Sequence, residues 1–254
     1  IASCLVGSEM CIRDSAKREI RSFFTTPLGY SILAVFFILN GLLLWVFTNA
    51  FNLIDSGFAD LNLYFELMPW LFLFLIPAIG MKAFSEEIKS GTIALLFTKP
   101  IAVWELILGK FLGMLFLIGC SLVASFIYVY VVLELKLESD VFDWGAFLGS
   151  FLGLFFLAAL FSSITLCCSC FSKNQVVAFL AAVLLCFLHF YGWGEASLYF
   201  SDNTIYSFLN AVGISSHYNQ MSKGIIDSKD LIYYLGQLFL FLFFAVNQLH
   251  KLKR

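Results

Sequence analysis

Three histidines and seven cysteines are the side chains of this sequence best suited to nucleophilic or metal chemistry. The cysteines after Cys11 lie in or beside apolar runs, so we interpret them as small packing residues rather than as metal ligands or a disulfide framework. His189 could in principle activate Ser162 or Ser163 as in an intramembrane serine protease. These residues are expected near opposite faces of the membrane, so the sequence does not favour proteolysis.

Sequence motifs for nucleotide binding and hydrolysis are missing. The chain contains no G-x-x-x-x-G-K-[ST] loop, so it cannot hold the phosphates of a nucleotide by that route. It also contains neither an H-E-x-x-H motif nor a G-x-S-x-G motif. We therefore predict no catalytic, cofactor-binding or metal-binding residues on this chain.

The composition predicts an integral membrane protein built of helices. Of the 254 residues, 61% are hydrophobic and 13% charged, and the mean hydropathy is +0.92. Soluble domains carry about 25% charged residues, so the chain lies far outside the globular range. The positive charges form no basic face, and we predict no binding to nucleic acid.

Six apolar segments are each long enough to cross a bilayer, which takes about 20 helical residues. They cover residues 29–48, 64–81, 104–133, 144–168, 175–193 and 231–249. Charge is scarce within them, with Glu66, Glu105 and Lys110 near segment ends, which argues against a proton-driven pump. Pro69 and Pro77 in the second segment predict either a static kink or a hinge that passes on motion.

A ladder of small residues marks the fourth segment. Gly145, Gly149 and Gly153 recur every four residues, which would let another helix approach closely.

Basic residues fall mainly on one side of the predicted membrane. Eleven of them share that side: Lys17, Arg18, Arg21, Lys82, Lys89, Lys99, Lys110, Lys173, Lys251, Lys253 and Arg254. Only three, Lys136, Lys223 and Lys229, fall on the other side. Since cytoplasmic loops are rich in lysine and arginine, we expect both termini in the cytoplasm of a bacterial cell and the chain in its inner membrane.

Residues 1–15 fit nothing that follows, and we interpret them as non-native read-through outside the single domain of residues 16–254. Residues 16–26 predict a short amphipathic helix on the membrane surface, or alternatively a solvated lead-in to the first span. On the opposite side, residues 203–213 predict a helix at the outer leaflet, and residues 215–230 a turn-rich lead-in to the last span.

A polar stretch between the second and third segments, residues 84–113, is better suited to docking than to catalysis. Ser85 is expected to cap a short helix, and Gly91 to end it. Thr92 is expected to cap a second short helix, which Pro100 would stop. The prediction is a small amphipathic element at the cytoplasmic surface of the membrane.

This stretch reads S-E-E-x-x-x-G-T-x-x-L-L-x-T-K-P-I over residues 85–101, followed by LGKFLG. It closely resembles the loop between the second and third spans of ABC-2 type transporter permeases. More narrowly, residues 16–253 resemble the GldF family of gliding-motility ABC transporter permeases, with KREIRSFFTTPLGY, FILNGLLLWVF, PWLFLFLIPAIGM and GIIDSKDLIYYL among the similar strings.

The resemblance implies a six-span permease whose ATPase, with its ATP and magnesium, is a separate chain. It implies that the loop is a coupling helix that docks on this ATPase, through Glu87, Gly91, Thr92, Leu95, Leu96, Lys99 and Pro100. Two permease halves, identical or paired with a related membrane subunit, would enclose a pathway between their first, second and fifth spans. The sequence departs from the family pattern at Ala94, where relatives often carry an acidic residue, and at Phe97, where leucine is usual.

Two further functions remain open at this point. Another cargo, such as a lipid-linked glycan, a drug-like amphiphile or an ion, would suit the same permease. A membrane anchor for motility or secretion machinery, which moves no substrate, would suit the scarcity of charge within the spans equally well.

Overall fold

The computed structural model describes residues 2–56, 61–97, 102–135, 142–199 and 203–253, and within these ranges every regular element is a helix. Six helical stretches are long and apolar enough to cross a membrane, which confirms the all-α, six-span prediction. They run over Pro27–Val46, Asn62–Ser90, Val103–Leu135, Trp144–Phe171, Gln175–Ser197 and Ser228–Lys253.

The helices are numbered in chain order. They are α1 (Ala2–Thr25), α2 (Pro27–Gly41), α3 (Leu53–Ser56), α4 (Asn62–Gly80), α5 (Ser85–Ser90), α6 (Ile93–Phe97), α7 (Val103–Ala124), α8 (Phe126–Leu135), α9 (Trp144–Phe171), α10 (Gln175–Phe187), α11 (Trp193–Ser197), α12 (Asn203–Val212), α13 (Ile214–Met221) and α14 (Ser228–Lys253). Short π-helical turns follow α2 and α10, at Leu42–Val46 and Leu188–Gly192.

Helix α9 is the centre of the bundle and packs against α4, α7, α10 and α14. Most of its side chains are buried, including small polar ones. The hydroxyl groups of Ser162 and Thr165 donate hydrogen bonds to the carbonyl oxygens of Ala158 (2.7 Å) and Phe161 (2.8 Å). Because a hydroxyl in an apolar interior needs a partner, these bonds within the helix allow α9 to bury polar residues at little cost.

The peripheral helices expose apolar surface. Helices α2, α10 and α14 have few buried residues, and Val35, Leu180 and Phe243 are among the large apolar side chains that they leave exposed. In water such a surface would be unfavourable, whereas in a bilayer lipid tails cover it. These helices therefore present the faces available to lipid or to another membrane subunit.

One end of the bundle, here called the basic end, gathers α1, α5, α6 and the last turn of α14. An ion pair joins Arg18 of α1 to Glu87 of α5 (3.2 Å). The Lys253 ammonium of α14 lies 6.0 Å from the centre of the Phe97 ring of α6. The opposite end gathers α3, α11, α12 and α13, because successive spans run antiparallel.

Two predicted elements differ from the structure. The short helix expected over residues 16–26 is part of a longer helix, α1, which begins at Ala2 and packs along α7. The turn-rich stretch expected over residues 215–230 is wrong in its first half, where α13 is helical. Ile214, Tyr218 and Met221 are buried at intervals of four and three residues, the helical spacing that sequence analysis overlooked. The helix expected over residues 203–213 corresponds to α12.

The glycine ladder of α9 meets a turn at the opposite end rather than another span. A Cβ atom at Gly149 would lie 2.7 Å from the Cα atom of Gly224, and one at Gly153 would lie 2.7 Å from the Cβ atom of Met221. Gly224 itself has a φ of +78°, a conformation that favours glycine. Gly145 takes no part in this contact, since its N–H caps the helix through the Asp143 carboxylate (2.9 Å).

We predict that Gly149→Ala destabilises the fold. The added methyl group meets backbone, which cannot rotate away, and overpacking of this kind costs about 1–3 kcal/mol. The free energy of unfolding in detergent, followed by circular dichroism, measures this loss. Gly119→Ala is the matched control, because a Cβ atom there meets nothing within 4 Å. Equal stability of the two variants would show that the turn can move away from α9.

Candidate functional site

The predicted docking element is a helix–turn–helix at the basic end. Helix α5 ends at Gly91, whose φ of +73° is the left-handed conformation typical of a helix C-terminus. The chain turns there and continues as α6. Gly91, Thr92 and Ala94 are exposed, whereas Ile93 is buried. The turn thus projects from the bundle while Ile93 anchors it.

Gly91 ends α5 as predicted, but the N-cap predictions for Ser85 and Thr92 were wrong. Helix α5 has Phe84 at its N-cap position, and the Ser85 hydroxyl donates a hydrogen bond back to the carbonyl oxygen of Met81. The Thr92 hydroxyl, expected to cap α6, bonds back to α5, at 2.8 Å from the Ser90 hydroxyl. Residues 81–84 form the turn between α4 and α5, and the Ile88 N–H donates to the carbonyl oxygen of Phe84 at 2.9 Å.

The structure describes only part of the predicted docking surface. Leu95 and Leu96 belong to α6, but the structure does not describe their side chains. Lys99 and Pro100 lie outside the described residues.

Behind this element lies a buried lysine. Lys110 of α7 is 1% exposed, and its ammonium donates to the carbonyl oxygen of Ala83. The same ammonium lies 2.9 Å from the Glu87 carboxylate and 3.9 Å from that of Glu19, and 4.4 Å from the centre of the Phe84 ring. Transfer of an ammonium group from water to the protein interior has a large free-energy cost, and the interactions with these partners offset it.

Arg18 completes a cluster of two cations and two carboxylates. Its guanidinium lies 3.2 Å from the Glu87 carboxylate, which therefore bridges Arg18 and Lys110. Burial raises the pKa of the Glu19 carboxyl group, and the Lys110 ammonium opposes this shift. The cluster joins α1, α5 and α7. Glu87 is thus directed into the bundle, although the sequence had suggested that it flanks a docking surface.

Two glycines on α7 allow α1 to approach this cluster. A Cβ atom at Gly109 would lie 2.5 Å from the Cβ atom of Ser15, and one at Gly113 would lie 3.0 Å from that of Glu19. The two glycines are four residues apart and flank Lys110 on one face of the helix. The string GKFLG therefore indicates a site of close helix packing beside a lysine that needs partners, which was not predicted from the sequence.

The two predicted hinge prolines are both buried within α4. Proline has no N–H, so Pro69 leaves the carbonyl oxygen of Phe65 without its usual helical partner. The hydroxyl of the buried Tyr218 in α13 donates to that oxygen at 2.6 Å. This bond replaces the missing one and fixes α13 against α4. Pro77 lies one turn before the end of α4, where the Met81 N–H donates to its carbonyl oxygen at 2.9 Å.

A second polar cluster lies at the opposite end. His217 of α13 has Nδ1 2.6 Å from the Asp230 carboxylate and Nε2 2.9 Å from the carbonyl oxygen of Ala211. Its ring stacks on Tyr233 with the ring centres 4.0 Å apart. Asp230 is almost fully buried at the start of α14. The cluster joins α12, α13 and α14 into one unit.

The side chains considered for catalysis have structural partners. The His189 Nδ1 atom accepts a hydrogen bond from the Trp193 indole (3.2 Å), and Ser162 and Ser163 donate to carbonyl oxygens of their own helix. Among the described residues, no group of three or more His, Cys, Asp or Glu side chains is placed to hold a metal ion. The cysteines whose side chains the structure describes are free thiols: Cys120, Cys167, Cys168, Cys170 and Cys186.

Comparison with known proteins places most of this architecture in one family. A family model described as ABC-2 family transporter protein matches residues 39–247. The match includes α5, α6 and Lys110, whereas Arg18 and Glu19 lie before it. None of the curated proteins matches the chain.

We predict that Lys110→Met lowers the free energy of unfolding in detergent by about 3 kcal/mol, because a buried cation is removed from two partly buried carboxylates. Chemical unfolding followed by circular dichroism provides the measurement. Lys89→Met makes the same change on the exposed side of α5 and serves as the control. A Lys110→Met protein as stable as the control would show that the cluster contributes no net stability.

At the opposite end, we predict that His217→Leu lowers the free energy of unfolding by about 2–3 kcal/mol, because the buried Asp230 carboxylate and the Ala211 carbonyl group lose the ring that contacts both. Proteolysis of the intact membrane protein, with mass spectrometry of the fragments, should show faster cleavage between α12 and α14. His250→Leu, near the exposed end of α14, should leave the cleavage pattern unchanged. Unaltered cleavage of the His217→Leu protein would show that His217 does not hold α12 and α14 together.

Proposed function

The chain belongs to the ABC-2 family of transporter proteins, and we propose that it is the permease subunit of a transporter whose ATPase is a separate chain. The observation that carries the proposal is the projecting α5–Gly91–α6 element at the basic end of a six-span bundle. A membrane subunit without a nucleotide-binding loop of its own needs such a surface to receive motion from an ATPase.

The proposed docking surface is the exposed turn and the helix that follows it. Gly91, Thr92 and Ala94 are exposed and supply contact at the tip. The family resemblance adds Leu95, Leu96, Lys99 and Pro100. Glu87 takes a different role from the one its sequence position suggests, because its carboxylate holds α5 against Arg18 and Lys110.

This arrangement suggests how motion would enter the membrane. A force on α6 passes through the single turn at Gly91 to α5, which follows α4 after one helical turn. The bridge from Glu87 to Lys110 then couples α5 to α7, and the bridge to Arg18 couples it to α1. Closure of two ATP-loaded ATPase subunits would thereby move the second and third spans together. The buried Lys110 ammonium is held by several partners at once, which makes this connection stiff.

The pathway itself would require a second membrane subunit, either another copy or a related chain. The exposed apolar faces of α2 and α10, which belong to the first and fifth spans, are suited to lie along it. ATP and its magnesium ion would be bound by the partner ATPase. Export is the direction that the family resemblance favours.

The orientation follows the distribution of basic residues. We place the basic end and both termini in the cytoplasm and the chain in the inner membrane of a bacterium, because lysine and arginine accumulate on the cytoplasmic side. The docking element then faces the compartment that contains ATP.

The narrower resemblance supports a role in gliding motility, as the permease GldF. A permease of the same design for a lipid-linked glycan, a drug-like amphiphile or an ion is the alternative within transport. An anchor that holds motility or secretion machinery without moving a substrate is the alternative outside it. Substrate-dependent stimulation of ATP hydrolysis in proteoliposomes separates these, since an anchor shows none.

We expect Leu95→Asp to abolish retention of the ATPase while leaving membrane insertion intact, because a carboxylate in an apolar docking surface loses its water on binding. Affinity purification of the tagged chain in mild detergent, with mass spectrometry of its partners, measures this. A P-loop ATPase should accompany the native chain and be lost from the variant.

Ala94→Glu is the matched control. It adds a carboxylate to the same helix, at an exposed position where relatives carry an acidic residue, so the ATPase should be retained. Retention of the ATPase by a folded Leu95→Asp chain would refute docking through α6. Absence of any ATPase from the native chain would favour the anchor.

A further inference from the structure

We propose that the basic end holds one phosphatidylethanolamine molecule, with its zwitterionic headgroup in a charged cavity and an acyl chain in an adjoining apolar groove. Binding of this lipid requires the orientation proposed above for the basic end but not the proposed transport cycle. The site consists of two cavities that share part of their walls.

The charged cavity has a volume of about 420 Å³ and lies between α1, α2, α4, α5 and α7. This volume is within the range of small-ligand sites. Its wall carries three cations and three carboxylates: Arg18, Lys82, Lys110, Glu19, Glu86 and Glu87. The balance of charge disfavours a purely anionic ligand and favours one that carries both signs.

Two of these six charged groups remain available to a ligand. Arg18, Lys110, Glu19 and Glu87 form the cluster described above. Within the described part of the chain, Lys82 and Glu86 form no ion pair, although they line the same cavity. Lys82 is half-buried and Glu86 is exposed at the rim. A phosphate paired with Lys82 and an ammonium paired with Glu86 would use both.

The apolar groove continues from this cavity into the span region. Its volume is about 310 Å³, and Ser31 is the only polar residue among those that line it. Ile32 of α2 and Ala78 of α4 belong to the walls of both cavities, so the two cavities adjoin there. From this junction the groove extends along α2 and α4 to Phe74 and Phe179. An amphiphile with its head at the membrane surface and its chain in the bilayer matches this order of polar and apolar walls.

Phosphatidylethanolamine fits better than phosphatidylglycerol. Both lipids carry a phosphate for Lys82, but only the former carries an ammonium for Glu86. Phosphatidylglycerol would leave the Glu86 carboxylate without a partner and would place a net negative charge beside it. The two lipids therefore provide a direct comparison.

The test is native mass spectrometry of the full chain, purified in mild detergent and equilibrated with vesicles of one lipid or the other. The native chain should retain one phosphatidylethanolamine in preference to phosphatidylglycerol. Glu86→Gln should lower retention of phosphatidylethanolamine roughly two- to five-fold, the effect of one exposed ion pair, and should not lower retention of phosphatidylglycerol. Lys82→Gln should lower retention of both.

Ala78→Phe should block the junction and lower retention of both lipids, and Lys89→Gln, on the exposed part of α5, is the control without effect. Equal retention across all variants, or a preference of the native chain for phosphatidylglycerol, would overturn the proposal. A loss of dimers in Ala78→Phe with an unchanged lipid count would assign the groove to a second copy instead. Should Ala78→Phe not fold, the two charge variants at Lys82 and Glu86 decide the question alone.

Discussion

The burial of one ammonium group constrains much of this fold. Lys110 lies within a membrane-spanning helix and is shielded from water, so every one of its hydrogen-bonding needs must be met by the chain. Its partners come from α1, from the turn before α5 and from α5 itself. Helices α1, α5 and α7 are therefore held in one arrangement. The position of α5 follows, and with it the direction in which the exposed turn at Gly91 points.

A second constraint acts on the backbone, because a carbonyl group in a bilayer needs a donor. Pro69 removes the donor that the Phe65 carbonyl would normally have, and Tyr218 supplies another from outside the helix. That bond fixes α13, and the turn after α13 then packs against the small residues of α9. The hydroxyl of Ser150 reinforces this contact by donating to the Ser222 carbonyl at 2.7 Å. One proline thus accounts for how the opposite end of the bundle is organised.

Sequence alone was sufficient for features that depend on local patterns. The six spans follow from apolar length, and the turn at Gly91 follows from the tolerance of glycine for a left-handed conformation. It was insufficient where partners are distant in sequence. Nothing near Lys110 indicates that its carboxylates come from residues 19 and 87, and Glu87 consequently looked like a surface group. Helix α13 was not predicted because polar residues separate its three buried residues, which recur at helical spacing.

His217 is held through both of its ring nitrogens, and each contact reaches a different helix. Nδ1 lies 2.6 Å from the Asp230 carboxylate of α14, and Nε2 lies 2.9 Å from the Ala211 carbonyl oxygen of α12. Two such contacts fix the orientation of a planar ring, and the Tyr233 ring stacks on its face. The imidazole therefore acts as a spacer between the end of α12 and the start of α14. The distance between these two helix ends cannot change unless one of the contacts breaks.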